Sequence, residues 1–175
     1  RMLDTDRPVV CIRIACYRTQ PRQAAIVDGE EGPAVLRHAA IADGRIVNVG
    51  VTAGTNEVID CRGKIIAPSF VDPHIHTESS LLWMPEFARA VIPHGTGAIV
   101  TDPHEIANVA GIPGLEAMRA ATAGLPMHIR FTAPSCVPAS PHESPGAELD
   151  ANAIAELLAW PETAGLGELM NVAGA

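Results

Sequence analysis

Residues 70–80 read Phe70-Val71-Asp72-Pro73-His74-Ile75-His76-Thr77-Glu78-Ser79-Ser80, an apolar run that ends in two histidines and an acid. In an extended strand, side chains two residues apart point to the same face, so His74 and His76 are predicted to project side by side. Two neutral imidazoles at the end of a buried strand supply about half of the ligands that a divalent metal ion needs. A bare His-x-His motif also occurs by chance, so the rest of the chain has to distinguish a metal site from a coincidence.

The chain after this stretch alternates between strand-like and helix-like segments. We predict strands at residues 66–76, 97–101, 127–132 and 164–169, and helices at residues 85–94, 113–123 and 150–160, with a loop at 102–111. Pro85 suits the first turn of a helix, and Gly124 suits a helix end. Strands that alternate with helices about every 30 residues are typical of βα units around a parallel sheet.

Residues 1–65 have a different pattern, with short β-rich runs separated by turns and no long helical period. The dipeptide Asp43-Gly44 lies between the apolar runs 38–42 and 45–49, which is a strong signal for a hairpin. Further strands are predicted at residues 9–17, 24–27 and 57–60. This part of the chain is therefore predicted to form a small β-sheet module.

The composition indicates a globular protein with an aliphatic core. Hydrophobic residues make up 47% of the 175 residues but aromatic residues only 3%, which is typical of packed α/β sheets. The formal charge is −8 and no block of Lys or Arg occurs, which argues against a nucleic-acid partner or an anionic membrane surface. No apolar run reaches the roughly 18 residues of a membrane span, and residues 1–7 lack the pattern of a secretory signal.

The cysteines are scattered, and none forms a Cys-x-x-Cys pair or lies at metal-ligand spacing from the histidines. This pattern favours reduced, mostly buried thiols, so a cytoplasmic location is expected. The cysteines are Cys11, Cys16, Cys61 and Cys136.

Polar residues follow each predicted strand of the second part of the chain. His74 and His76 end the first strand, residues 102–105 follow the second, residues 134–136 follow the third, and Glu168 ends the fourth. In parallel α/β folds the active site lies at the carboxyl ends of the strands, so these residues are expected to meet at one face of the sheet. This convergence is a more specific signal than any single motif.

The chain resembles the amidohydrolase superfamily, whose marker is an apolar strand that ends in His-x-His, here residues 67–76. It resembles the adenine deaminase branch more closely, through four motifs in the same order. Ser69 and Pro73 stand where the family more often has Gly and a small residue, but neither position is a ligand. The four motifs are His74-Ile75-His76-Thr77-Glu78-Ser79-Ser80, Thr101-Asp102-Pro103-His104-Glu105-Ile106-Ala107-Asn108-Val109, Ala133-Pro134-Ser135-Cys136-Val137-Pro138-Ala139 and Gly165-Leu166-Gly167-Glu168-Leu169-Met170-Asn171.

This resemblance implies an α/β fold, in which residues 66–175 form the first four βα units of a (β/α)8 TIM-type barrel and residues 1–65 form a small β-sandwich module. The family's barrel continues to further strands that supply two more histidine ligands and a catalytic aspartate. The chain is therefore expected to be an N-terminal portion of such an enzyme. An open half-barrel exposes two sheet edges and an apolar interior, so a homo-oligomer is expected.

The resemblance also implies a function, which is metal-dependent hydrolytic deamination of adenine to hypoxanthine and ammonia in purine metabolism. The cofactor is expected to be a divalent, binuclear metal centre of Mn or Fe, and Zn is also compatible with histidine and carboxylate ligands. The expected partner is a small-molecule purine substrate, and neither nucleic acid nor a membrane is expected.

Carried over by position, the metal ligands are His74, His76 and Glu168, with the Glu168 carboxylate bridging two ions. A surface acid at a strand end is the alternative for Glu168, but its apolar neighbours favour a buried, paired carboxylate. Branches of the superfamily that use a carbamylated lysine would need Lys here, so Glu168 argues against a dihydroorotase-like or hydantoinase-like enzyme.

Three residues are predicted to be catalytic: His104, Glu105 and Glu168. We assign His104 to contact with the attacking water or the leaving group, and Glu105 to proton transfer or a further metal contact. The alternative is that Asp102 or Glu105 belongs to a polar cluster at a helix N-terminus.

The residues predicted to bind the purine are Glu78, Ser79 and Ser135. Ser79 and Ser80 can equally cap the helix that follows them. A nucleophilic role for Cys136 is not expected, because no histidine is placed by sequence to activate it.

Other functions stay open at this point. The second family of zinc-dependent deaminases needs His-x-Glu and Pro-Cys-x-x-Cys, and residues 134–138 lack the second cysteine. The chain can instead belong to an amidohydrolase that acts on another cyclic amidine or amide. It can also be a non-catalytic, truncated fragment that needs a partner to complete its sheet.

Overall fold

A computed structural model of the protein describes residues 64–171 without a gap and five short strand segments before them, at 17–18, 25–26, 35–36, 38–42 and 45–50. The chain divides into two compact units, Arg1–Phe70 and Val71–Ala175. Among the described residues, no helix combines the length and the apolar character that crossing a membrane requires.

The N-terminal unit consists of short strands in two sheets. The hairpin predicted around Asp43-Gly44 is confirmed, because the strands on either side of it pair antiparallel, with a register shift between Ala40 and Ile41. Residues 9–16 and 57–60, also predicted as strands, lie outside the described residues, and the β-sandwich stays a prediction. The strands are β1 (Tyr17–Arg18), β2 (Ala25–Ile26), β3 (Val35–Leu36), β4 (His38–Ala42), β5 (Arg45–Gly50) and β6 (Lys64–Ile66), in the sheet orders β1-β6-β2-β3 and β4-β5.

The second unit alternates strands and helices around a parallel sheet of order β7-β8-β9-β10, as the sequence predicts. The register places Ala98 beside His128 and Thr101 beside Phe131. The elements are β7 (Phe70–Ile75), a 3-10 helix (Thr77–Ser80), α1 (Met84–Val91), a 3-10 helix (Ile92–His94), β8 (Thr96–Thr101), α2 (His104–Ala120), β9 (His128–Ala133), α3 (Ala151–Leu158) and β10 (Thr163–Leu166).

Two predicted elements are wrong. The strand predicted at residues 66–76 is divided into β6 and β7, with residues 67–69 between them outside any strand. Residues 104–111, predicted as loop, belong to α2, which begins at His104 and is interrupted at Gly111 with φ 61° and ψ −149°. Gly111 has a left-handed backbone and Pro113 has no N–H. In the sequence these two residues resemble a loop followed by the first turn of a helix, so the helix was predicted to begin at Pro113. The earlier turn was missed because an acceptor from outside the helix, the Glu78 carboxylate, satisfies its Ile106 N–H at 3.3 Å.

Two apolar clusters hold the helices against this sheet. The first joins α1 and α2 to β8 and β9, and the second joins α2 and α3 to β9. Burying each large apolar side chain contributes about 1.5–3 kcal/mol, so these clusters fix where the carboxyl ends of the strands lie. The buried members of the first cluster are Met84, Phe87, Ala88, Ile99, Met118, Met127 and Phe131, and those of the second are Ala107, Leu115, Ala133, Val137 and Leu157.

Candidate metal centre

Five polar side chains converge at the carboxyl ends of β7, β8 and β10, and we call them the strand-end cluster. His74 lies near the end of β7 and His76 directly follows the strand. Asp102 follows β8, His104 is the first residue of α2, and Glu168 lies two residues beyond β10. The backbone N–H of Asp102 donates to the carbonyl of Ile75 at 2.9 Å, which ties the ends of β7 and β8 together.

His74, His76 and Glu168 have the spacing of ligands to one ion. The two Nε2 atoms of the histidines are 3.2 Å apart. Glu168 Oε2 is 3.5 Å from His74 Nε2, and Glu168 Oε1 is 3.6 Å from His76 Nε2. With metal–ligand bonds of about 2.1 Å, donor atoms on one ion lie about 3.0–3.6 Å apart, so this donor set fits a divalent cation. The predicted ligands are therefore brought together. The prediction that Glu168 is buried is wrong, because its side chain is 39% exposed beyond the end of β10.

His104 approaches the same carboxylate from the other side. Its Nδ1 is 3.7 Å from Glu168 Oε1 and 3.6 Å from Asp102 Oδ1. The Asp102 side chain is 1% exposed, and neither Asp102 Oδ1 nor His104 Nδ1 has a hydrogen-bond partner among the described residues. Both separations are too long for a hydrogen bond. The buried Asp102 Oδ1 and His104 Nδ1 therefore face one another without a hydrogen bond between them.

Asp102 organises its neighbours. The sequence placed it among the polar residues expected at the strand ends, but the only specific role considered for it was at a helix terminus. Its backbone carbonyl is 2.9 Å from His76 Nδ1, so His76 Nδ1–H donates to it and Nε2 is left to face the cluster. Its carboxylate Oδ2 accepts the backbone N–H of Glu168 at 2.8 Å. The residue at the N-cap of α2 is Pro103, without a side-chain cap. An acid directly after a buried strand was the available sequence signal.

Glycine is required at position 167 because the chain passes the Asp102 carboxylate closely. A Cβ at Gly167 would lie 2.5 Å from Asp102 Oδ2. The Gly167 N–H also donates to the carbonyl of Ala133 at 2.8 Å, so the backbone has little freedom to withdraw.

We expect Gly167→Ala to displace Asp102 or Glu168 and to weaken Mn²⁺ binding by about 10–100-fold, the usual cost of disturbing groups that orient metal ligands. Isothermal titration with Mn²⁺ measures the change. Leu166→Ala is the neighbouring control, because Leu166 is 59% exposed and should leave the affinity unchanged. An affinity for Mn²⁺ equal to that of the unsubstituted protein would contradict the requirement for glycine.

The other predicted residues surround the strand-end cluster. The Ser79 hydroxyl donates to the Glu105 carboxylate. Ser135 donates its hydroxyl to the backbone carbonyl of Glu168 at 3.2 Å. Glu78 accepts the N–H of Ile106 and so caps α2. These contacts place Ser79, Glu105 and Ser135 beside the cluster, and their catalytic and binding roles stay predictions.

Burial raises the pKa of the Glu78 carboxyl above its ordinary value of 4.5. Hydrogen bonds from the backbone N–H groups of Glu78 and Ile106 oppose this shift, and the nearby Glu105 adds to it. Burial therefore destabilises the charged form of the Glu78 carboxyl, and the hydrogen bond from the Ile106 N–H partly offsets this effect.

A cavity of about 370 Å³ opens beside His104 and Glu105, within the size range of small-molecule sites. Its wall includes Cys136, whose Sγ accepts the backbone N–H of Met170 at 3.0 Å. Cys136 is therefore a buried structural thiol, as the sequence suggests. Sequence reasoning missed Asn108 and Glu143 as lining residues. The remaining lining residues are Val109, Ala139 and Met170.

Comparison with known proteins adds a family and a set of relatives. The sequence profile of the amidohydrolase family matches residues 65–164. An adenine deaminase of Halalkalibacterium halodurans is 47% identical over 75% of the chain and 23% of its own length, and one of Bacillus licheniformis is 49% identical over 75% and 23%. Adenine deaminase 2 of Desulfotalea psychrophila is 40% identical over 93% of the chain and 29% of its own length. The chain thus spans about a quarter of these curated relatives.

Proposed function

Because the chain belongs to the amidohydrolase family, we propose that it forms part of a metal-dependent hydrolase that converts adenine and water into hypoxanthine and ammonia. The observation that carries this proposal is the meeting of His74, His76 and Glu168 at the carboxyl end of a parallel sheet. The relatives that match most of the chain are named adenine deaminases, which supports adenine as the substrate.

His74, His76 and Glu168 would hold a divalent cation, for which we propose Mn or Fe, with Zn also compatible with these ligand types. A bound divalent cation lowers the pKa of water to about 7, which makes a nucleophile available at neutral pH. The Asp102 carbonyl keeps the His76 ring in the tautomer that leaves Nε2 free for this role.

Deamination forms a bond from the water oxygen to C6 of adenine and breaks the C6–N6 bond, and the amine needs a proton to leave as ammonia. Glu105 borders both the strand-end cluster and the adjoining cavity, so we assign it the proton transfer. The Ser79 hydroxyl, which donates to the Glu105 carboxylate, would hold that carboxylate in place. His104 would act at the attacking water, beside Glu168.

The purine would enter the cavity next to His104, within reach of side chains that can contact its edge. We propose Glu78, Ser79 and Ser135 as substrate-binding residues. Ser79 hydrogen-bonds Glu105 in the cavity wall and Ser135 hydrogen-bonds Glu168. Glu78 accepts the N–H of Ile106, the residue that follows Glu105. The apolar wall, which includes Val109 and Ala139, suits the faces of a planar heterocycle.

The proposal also covers the organisation of the protein. The four βα units would be the first half of a (β/α)8 barrel that follows a β-sandwich module. A homo-oligomer is proposed because large apolar side chains such as Leu81 and Val109 are 92% and 68% exposed. A cytoplasmic location is proposed because Cys136 is a buried free thiol.

Incubation of the Mn²⁺-loaded protein with adenine tests the function. We expect ammonia in a coupled assay and an equal amount of hypoxanthine by chromatography. His76→Gln should lower the rate by at least about 100-fold, because even the outer-shell partners of a metal ion contribute 10–100-fold. The control is His94→Gln, since His94 is exposed and precedes β8, at the opposite end of the strand.

The same assay separates the other candidates. Ammonia released from guanine or cytosine, or ring opening of a dihydropyrimidine, without turnover of adenine, would indicate another cyclic amidine or amide as substrate. A protein that binds Mn²⁺ but turns over none of these compounds would contradict the enzymatic proposal and favour a non-catalytic chain.

A further inference from the structure

We propose that Ser135 and Cys136, which follow β9, are positioning residues that hold Glu168 where its carboxylate can bind a metal ion. In this role both side chains act through the backbone of residues 168–171 and not on the ion directly. The inference rests on the proposed function in so far as Glu168 is a ligand of that metal centre. Its new content is that the orientation of this ligand depends on two side chains at another strand end.

The segment that carries Glu168 has little structure of its own. Residues 167–171 follow β10 and belong to no helix or strand. The Glu168 side chain is 39% exposed, and Leu169 and Met170 are 52% and 38% exposed. Because stabilisation by packing scales with the apolar surface that is buried, packing contributes little to the place of this segment. Hydrogen bonds therefore have to fix the direction of the Glu168 side chain.

Both backbone polar groups of Glu168 are occupied. Its N–H donates to Asp102 Oδ2 at 2.8 Å, and its carbonyl accepts the Ser135 hydroxyl at 3.2 Å. The two partners follow different strands, β8 and β9, and they fix the two planar peptide units on either side of the Glu168 Cα. The side chain that leaves this Cα is thereby directed to within 3.5 Å of His74 Nε2 and 3.6 Å of His76 Nε2.

The Cys136 sulfur fixes the chain just beyond Glu168. Sγ accepts the N–H of Met170 at 3.0 Å and the N–H of Asn171 at 3.3 Å. A partly buried backbone N–H needs an acceptor, and this one side chain supplies an acceptor to two consecutive residues. Without the sulfur, the segment would have to turn to find other partners, and Glu168 would turn with it.

The two positioning residues are themselves held in a buried part of the structure. Ala133 and Val137, on either side of the pair, belong to the second apolar cluster and are 1% and 5% exposed. The Ala133 carbonyl also accepts the Gly167 N–H at 2.8 Å, directly before Glu168. A buried and well-packed segment therefore holds an exposed one, which is how supporting groups orient the ligands of a metal ion.

This role is compatible with the proposed contact between Ser135 and the purine. A serine hydroxyl has one proton and two lone pairs. The proton is donated to the Glu168 carbonyl, which leaves the lone pairs of the same oxygen to accept an N–H of the substrate.

Isothermal titration with Mn²⁺ tests the role in variants that separate hydrogen bonding from side-chain volume. Cys136→Val keeps the approximate volume and loses the acceptor, whereas Cys136→Ser keeps an acceptor. Ser135→Ala loses the donor, whereas Ser135→Thr keeps it. We expect Cys136→Val and Ser135→Ala each to weaken Mn²⁺ binding about 3–10-fold, the usual contribution of one hydrogen bond, and the two together about 10–100-fold. Cys136→Ser and Ser135→Thr should stay within about threefold of the unsubstituted protein.

The electron paramagnetic resonance spectrum of bound Mn²⁺ gives a readout that a loss of overall stability does not move. Its line shape depends on the ligand geometry, so it should change in Cys136→Val and in Ser135→Ala. Val137→Ala is the control for stability, because Val137 is as buried as Cys136, at 5%, but packs in the second apolar cluster. This control should lower the urea midpoint of unfolding and leave the affinity and the spectrum of Mn²⁺ unchanged.

Ser140→Ala is the matched control for the serine. Ser140 lies in the same loop, and its hydroxyl oxygen accepts the His142 N–H at 3.3 Å, away from residues 168–171. The Mn²⁺ affinity of this variant should equal that of the unsubstituted protein.

An unchanged Mn²⁺ affinity and spectrum in the variant that combines Ser135→Ala and Cys136→Val would overturn the inference, even if adenine is deaminated. An equal loss of affinity in Val137→Ala would overturn it too, because the effect would then be one of stability alone. An unsubstituted protein that binds no Mn²⁺ would overturn it together with the proposed metal centre. The expected losses of affinity, without any turnover of adenine, would support the positioning role while the proposed function failed.

Discussion

Replacing Glu168 by glutamine is expected to lower the rate of adenine deamination by roughly 10³-fold, the largest effect that we expect of a single substitution on activity. The two carboxylate oxygens of Glu168 lie 3.5–3.7 Å from three different histidines. Glutamine keeps the size and the backbone N–H bond to Asp102, but it removes the negative charge with which Glu168 would hold a cation. Losing the charge is expected to cost several kcal/mol of transition-state stabilisation. Each loss of about 1.4 kcal/mol lowers the rate tenfold, so a loss of this size matches a drop of roughly 10³-fold.

The measurement combines steady-state ammonia release with the Mn²⁺ content of the purified variant. Glu156→Gln on α3 is the matched control, since Glu156 is exposed on the surface and should leave both quantities unchanged. A Glu168→Gln variant that kept its full metal content and its activity would show that the carboxylate is not a ligand, and the proposed metal centre would have to be abandoned.

Replacing Phe131 by alanine is expected to reduce the free energy of unfolding by about 3–5 kcal/mol, the typical cost of deleting a fully buried aromatic side chain. Phe131 lies on β9, is 2% exposed and belongs to the cluster that packs α1 and α2 on the sheet. Its ring also contacts Trp160 edge-on, with the ring centroids 6.5 Å apart. Because side chains of α1 and α2 both pack in this cluster, we expect the space left by the ring to stay largely unfilled.

Urea unfolding followed by circular dichroism measures the change in stability. Phe70→Ala is the same substitution at a position that is 56% exposed, and it should cost well under 1 kcal/mol. A loss below about 1 kcal/mol for Phe131→Ala would mean that this cluster does not hold the sheet together.

Much of the fold could be predicted from local patterns. The alternation of strands and helices after residue 65 and the Asp43-Gly44 hairpin were read from apolar periodicity and turn residues, and both are confirmed. The start of α2 could not be predicted, because it depends on Glu78, an acceptor 28 residues earlier that caps the Ile106 N–H. A local pattern contains no information about a cap that arrives from another element.

The candidate site divides in the same way. The meeting of His74, His76 and Glu168 could be predicted, because each stands at or just after the end of a strand and the carboxyl ends of parallel strands share one edge. The part played by Asp102 could not, since its carboxylate meets the Glu168 N–H across 66 residues of chain. The cavity beside His104 was also invisible in the sequence, because its wall combines residues from α2 and from the loops after β9 and β10.

The sequence by itself determined the alternation of strands and helices after residue 65 and which strand ends carry histidine and carboxylate side chains, because periodicity and residue type are local properties of the chain. Only the tertiary structure decided that Asp102 faces His104 and Glu168 with a buried carboxylate oxygen that no described residue hydrogen-bonds, because burial and partner distance depend on how β7, β8 and β10 pack together. The chemistry of the site depends on those distances, since a ligand atom about 1 Å out of place no longer binds the same ion.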